Sequence, residues 1–243
     1  MKSPSLIATA LAAALICGIG SAAHAAIVID GTRVIYPAKS REVSVRLSNR
    51  GDTPLVAQSW LDAGKPQVAP GEVATPFLLV PPLARIEPTR GQTLRLMLTQ
   101  PPAVQDRESV YYLNVLEIPP KSDDSGGGNT LQLSLRSRIK VFLRPEGLPG
   151  SADDAPDALV WRVLRDGAAR RLEVRNPSAY HVTLSKIALN AKPASGSVGS
   201  GMVAPRSTLS FALKQDPQDA TRVEYSYIDD YGAEREHAKT LAP

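Results

Sequence analysis

The 243-residue chain carries 28 Lys and Arg against 24 Asp and Glu, a formal net charge of +4, and one cysteine; 43% of its residues are hydrophobic and 5% aromatic. So mild a positive balance is too weak to argue for nucleic acid as a partner, although it leaves room for a local basic cleft. One cysteine excludes an internal disulfide and a Cys-based metal cluster, so the core must hold without covalent staples.

The first element is a leader. Lys2 gives a positive start, an apolar run follows from Leu6 to Ile19, and Ala23-His24-Ala25 is a small-x-small cleavage pattern. Together they predict a secretory signal peptide over residues 1–25, cut after Ala25. The run contains Gly18 and Gly20 and is short for a membrane span of ~20 residues. Cys17 lies inside it, so the mature chain is expected to hold no thiol.

Downstream the sequence reads as β nearly throughout, in short apolar runs punctuated by Pro, Gly, Asn and Asp. Strands are predicted over Ile27–Tyr36, Glu42–Asn49, Pro54–Leu61, Gln92–Thr99, Tyr111–Ile118 and Leu131–Leu143. Val43, Val45 and Leu47 alternate with Ser44, Arg46 and Ser48, the period of a half-buried strand. No window offers a long capped amphipathic helix. Ser122–Thr130, with Gly126-Gly127-Gly128, reads as a polar surface loop, since no Gly-Lys-Ser/Thr follows to make it a phosphate loop. Residues 26–145 form a first domain, and the Gly-, Pro-, Ala- and Asp-rich stretch 146–157 a linker. A second domain covers 158–243, with strands at Leu159–Leu164 and Arg171–Arg175 around an Asp166-Gly167 turn, then Val182–Leu189, Ser207–Leu213 and Arg222–Ile228. The fold class is all-β, as two consecutive sandwiches.

The chemistry of an enzyme finds little support. His181 and His237 are the histidines beyond the leader, far apart in sequence, and no Gly-x-Ser-x-Gly elbow is present. His181 beside Tyr180 reads as a structural histidine, and His237 lies in what reads as a charged tail. Asp229 and Asp230 are adjacent, so on a strand they point oppositely. No convergent ligand set suggests a metal or cofactor. The segment Leu131-Gln132-Leu133-Ser134-Leu135-Arg136 is more informative, because three leucines fall on one face and the alternation resumes at Ile139, Val141 and Leu143. Either this is a long strand with its odd face in the core, or it is an exposed edge whose leucines fill pockets in a partner.

Several motifs decide between them by resemblance. They are Gly31-Thr32-Arg33-Val34-Ile35-Tyr36-Pro37, Pro81-Pro82-Leu83-Ala84-Arg85-Ile86-Glu87-Pro88, Asp106-Arg107-Glu108-Ser109, Glu117-Ile118-Pro119-Pro120, Arg138-Ile139-Lys140-Val141-Phe142-Leu143-Arg144-Pro145 and Tyr227-Ile228-Asp229-Asp230-Tyr231-Gly232. In this order they resemble the periplasmic pilus-assembly chaperones of the chaperone–usher pathway. The resemblance implies two immunoglobulin-like β-sandwich domains arranged as an L with a cleft between them. It implies that Leu131, Leu133 and Leu135 are donor-strand residues entering a pilus subunit that lacks its final strand, and that an outer-membrane usher is the second partner. Arg33 and Lys140 would anchor the subunit's C-terminal carboxylate. Glu108, Arg144 and Asp230 would form an ion network orienting the domains, with Asp229 the neighbouring candidate. The short stretch Pro119–Thr130 resembles the short-loop branch of the family. A pilus subunit is the alternative reading, disfavoured by the absence of a donor extension before Ile27; a generic immunoglobulin-like ligand binder is the other, and would not require Arg33 and Lys140 together. An exposed edge also carries a risk of self-capping association when the chaperone is free.

Overall fold

The computed structural model describes residues 26–121 (except 68 and 73), 133–166, 169–190, 197–214, 217 and 219–242. The described residues form no helix; sixteen strands build two sandwiches. They are β1 (Ile27–Ile29), β2 (Arg33–Pro37), β3 (Val43–Asn49), β4 (Leu55–Asp62), β5 (Phe77–Val80), β6 (Leu83–Ile86), β7 (Gly91–Leu98), β8 (Ser109–Ile118) and β9 (Arg136–Arg144) in the first sandwich. The second holds β10 (Val160–Asp166), β11 (Ala169–Asn176), β12 (Val182–Leu189), β13 (Gly199–Val203), β14 (Ser207–Ala212), β15 (Arg222–Ile228) and β16 (Glu234–Thr240).

In the first sandwich the sheet β1-β3-β7-β5 faces the sheet β2-β9-β8-β4-β6. The alternation that predicted β3 is realised: Val45 and Leu47 are buried while Ser44 and Arg46 are exposed. Leu94 and Leu96 of β7, Leu113 and Val115 of β8, and Val141 and Leu143 of β9 close the same core. Tyr36 ties the sheets together. Its hydroxyl donates to Ser40 O at 3.0 Å and accepts the Leu98 N–H at 2.9 Å, which satisfies a polar tip inside an otherwise apolar layer.

The predicted strand Ile27–Tyr36 is two strands. Gly31, at φ 106°, breaks the run, and the chain changes sheets, with β1 pairing β3 and β2 pairing β9 in parallel. β5, β6, β13 and β16 were not anticipated. The predicted Leu131–Leu143 strand begins, among the described residues, at Arg136.

The second sandwich sets β10-β11-β14 against β13-β12-β15-β16. Trp161, Leu172, Leu184, Ile187 and Tyr225 fill its core, and Leu148, Ala152 and Ala155 pack onto it from the connecting stretch. The expected hairpin forms, with Asp166 opposite Ala169. His237 is not in a tail: it lies on β16, its Nε2 2.6 Å from Asp157 Oδ1 and its ring 5.4 Å from that of Tyr225.

Candidate functional site between the sandwiches

Strand pairing places residues remote in sequence in a single cross-strand row. Arg33 of β2 sits opposite Lys140 of β9, Lys140 opposite Tyr112 of β8, and Tyr112 opposite Asp62 of β4. Because side chains alternate along each strand, this row lies on the outer face of its sheet, away from the core that takes Ile139, Val141 and Leu143. The next row holds Arg138, Asn114 and Trp60.

Arg33 and Lys140 are both half-buried neighbours of like charge. Burial pulls the Arg33 guanidinium below its ordinary range, while Asp230, Asp229 and Glu108 oppose it. Burial also lowers the Lys140 ammonium, with the charges of Arg33 and Arg138 adding to the effect. Arg33 Nη1 donates to Ile228 O of the second sandwich at 2.8 Å, and the guanidinium lies 5.6 Å from the Phe142 ring centroid. Its Nε is buried with no acceptor. Lys140 makes no ion pair among the described residues. Such a pair is suited to an anion with two acceptor oxygens: the guanidinium offers a planar fork and the ammonium a compact charge.

Asp62 does not quench this charge, because it is already committed. Arg138 Nε and Nη2 donate to its Oδ2 and Oδ1 at 3.0 and 2.6 Å. Asn114 Nδ2 and the Gly64 N–H add bonds of 2.8 and 2.7 Å. Burial would raise the Asp62 carboxyl, but these bonds outweigh it and hold the group below the ordinary carboxylate range. The Arg138 guanidinium lies 3.5 Å from the Tyr112 ring centroid, and Arg136 lies 5.4 Å from that of Trp60 while bonding Pro66 O. The even-numbered face of β9 is therefore clasped to β8 and β4.

The odd-numbered face changes character along the strand. Val141 and Leu143 are buried, whereas Leu135 is 46% and Leu133 67% exposed. Leu131 lies outside the described residues. Residues 140–143 of β9 are flanked by β8 and β2 and Arg144 pairs with β2, but 136–139 pair only with β8. The line of apolar side chains thus runs off the end of the core along a half-open edge.

The charged residues expected at the hinge meet. Arg144 Nε donates to Glu108 Oε1 at 2.7 Å, and Nη1 and Nη2 donate to Asp230 Oδ2 and Oδ1 at 2.8 and 3.1 Å. Asp229 is used elsewhere. Its Oδ1 accepts the N–H groups of Tyr231 and Ala233, and its Oδ2 the Arg235 Nε–H, closing the turn between β15 and β16. Sequence reasoning overlooked His181 as a bridge. Its N–H donates to Glu108 Oε2 at 2.9 Å, its Nδ1 lies 3.2 Å from the same oxygen, and its ring packs 5.4 Å from Phe142. Burial opposes ionisation of Glu108, yet the His181 hydrogen bonds and the Arg144 charge keep its carboxyl below the ordinary range. Asp62 and Arg138 were also overlooked. Nothing in their spacing signals that they meet; only the register of three strands does.

Two family profiles match the chain. The pili and flagellar-assembly chaperone PapD N-terminal domain covers residues 26–149, and the pili assembly chaperone PapD C-terminal domain covers 154–239. The chain belongs to this family of pilus-assembly chaperones. It is 43% identical over 237 residues to the chaperone protein FimB/FhaD of Bordetella pertussis, covering 96% of this chain and 95% of that one. The crystal structure of the Pseudomonas aeruginosa CupB2 chaperone superposes with a TM-score of 0.76 at 38% identity, over 88% of this chain and 100% of that one. The SafB chaperone of Salmonella enterica, solved in complex with the SafA pilin, superposes with a TM-score of 0.73 at 26% identity, over 88% of this chain and 96% of that one.

Proposed function

We propose that this chaperone acts in the periplasm on fimbrial subunits that lack a final strand, capping them by strand donation and delivering them to an outer-membrane usher. Residues 1–25 are the leader, 26–145 the domain carrying the donor strand, 146–157 the linker and 158–243 the second domain. It works without catalysis, cofactor, metal or nucleic acid. Family membership favours this reading over a pilus subunit.

The observation that carries it is a conjunction along one run of chain. Leu133 and Leu135 are exposed just before the half-open part of β9, and a few residues further on Lys140 stands beside Arg33, neither of them in an ion pair among the described residues. In this reading Leu131, Leu133 and Leu135 enter the subunit's groove, each burial recovering on the order of 1.5–3 kcal/mol before ordering costs. Backbone bonds along the open edge complete the subunit's sheet. Arg33 and Lys140 receive its terminal carboxylate and so fix the register, while Glu108, Arg144 and Asp230 hold the domains at the angle the cleft requires. The exposed edge also gives the free chaperone a route to self-capping, and the short stretch Pro119–Thr130 before it favours the short-loop branch.

The test is co-purification from periplasm of the wild type, Leu133→Glu, Arg33→Ala and Lys140→Ala with subunits encoded beside it. All three variants are expected to fold by circular dichroism and to lose the one-to-one complex. Normal capture by folded Leu133→Glu would remove the strand-donation reading.

A further inference from the structure

Glu117 is a charged residue in a place that demands an explanation. It lies on β8, directed inward with Leu113 and Val115, and is 7% exposed. It forms no ion pair among the described residues, and its Oε1 is buried without any hydrogen-bond partner. A buried carboxylate without a cation is costly, and such groups normally have one. Among the described residues, the one bond to its other oxygen comes from far away in sequence: the backbone nitrogen of Ala26 donates to Glu117 Oε2 at 3.1 Å.

Ala26 is the residue that follows the Ala23-His24-Ala25 cleavage pattern. It is seated firmly. Arg50 N–H donates to its carbonyl at 2.6 Å, it packs against the first core, and a Cβ on Gly51 would come within 3.0 Å of its own Cβ. In the uncut chain, the nitrogen facing Glu117 is a neutral amide with one proton. After cleavage it is an ammonium with three.

We propose that Glu117 is the receptor for the α-ammonium of Ala26, a buried ion pair that exists only once the leader has been removed. The inference rests on the reading that the leader is cut after Ala25. The hydrolysed peptide bond leaves the Ala25 carboxylate on the leader and the new ammonium on the mature chain, which supplies the missing cation and a donor for the orphan Oε1. Any other cleavage point leaves Glu117 facing an amide or nothing. The pair sits beside the donor segment, because the Glu117 N–H itself donates to Leu135 O at 2.8 Å. Processing would therefore finish the sandwich at the place from which the apolar edge departs.

The test is a cycle of four chains: the mature protein beginning at Ala26, the same protein with one glycine added before Ala26, and Glu117→Gln in each. Intact mass of the periplasmic protein fixes the natural start, and urea unfolding gives the stabilities. The glycine extension is expected to reduce the folding equilibrium constant by about ten- to a hundred-fold in the Glu117 background. In the Glu117→Gln background, where only the steric effect of the glycine remains, the reduction should be several-fold smaller. Equal reductions in both backgrounds overturn the ion pair while leaving the cleavage reading intact. A natural start other than Ala26 overturns the cleavage reading, and the proposal with it.

Discussion

At the scale of single residues, the site is a distribution of charge among partners that could have been exchanged. Asp62 and Lys140 are separated by one residue in a cross-strand row, yet Arg138 takes the carboxylate and Lys140 is left without it. Burial with no compensating acid among the described residues makes Lys140 a residue kept at the expense of stability. Lys140→Met is expected to leave the unfolding free energy unchanged or raised by under about 1 kcal/mol, while subunit capture is lost; a clear destabilisation in urea titration would contradict this. Arg144→Ala works the other way. It leaves the buried Glu108 with only His181, and should cost about 3 kcal/mol, measurable by denaturation of the full chain. The acid dependence follows from Glu108 as well. Its carboxyl ionises more readily in the fold than its ordinary value of 4.5, so its contribution is complete above that value and fades as pH falls through the lower folded one. Between about pH 3 and 7, stability of Glu108→Gln should therefore fall less steeply on acidification than that of the wild type.

At the scale of elements, β9 does two jobs in one run of residues, and the clasp on its even face explains how the odd face is presented. Asp62→Asn removes the charge that Arg138 grips, so amides of residues 136–139 should exchange faster, by about ten-fold, while those of 140–143 between β2 and β8 stay protected. Uniform exchange along β9 would show the clasp to be incidental. The same strand shows what sequence reveals. Its alternation and the leucines that precede it were legible because period two is local, and so was β3. β5 and β6 were missed because each is four residues long and Pro81-Pro82 lies between them. β16 was missed because it is an edge, largely exposed and charged, held by its ladder to β15 and not by an apolar face. The meeting of Arg33 with Lys140 came from family resemblance alone. A parallel pairing between residues so distant has no signature in spacing, and the part played by Asp62, Arg138 and His181 had none either.

At the scale of the molecule, the sandwiches meet through polar contacts: Arg144 with Asp230, Glu108 with His181, Arg33 with Ile228 O, and Arg206 with Asp106. Directional bonds of this kind set an angle more sharply than an apolar patch would. Gly232 sits where the interface leaves no room for a side chain. It has φ 85°, and a Cβ there would lie 2.6 Å from Thr32 Oγ1 across the interface. Gly232→Ala is expected to cost about 1–3 kcal/mol and to change the interdomain angle seen by small-angle scattering; an unchanged scattering profile would mean the turn absorbs the methyl without moving the domains.

The sharing of β9 between its two halves also has a mechanical side. Five residue pairs join it to β2, and β8 flanks it from Arg136 to Leu143. A cargo tugging along the free half would load these ladders in shear, so that their bonds must yield together, whereas a pull across the strand would open them one at a time. Resistance to force is thus anisotropic. The molecule should grip hardest against traction along β9 and release most readily when its load is peeled sideways.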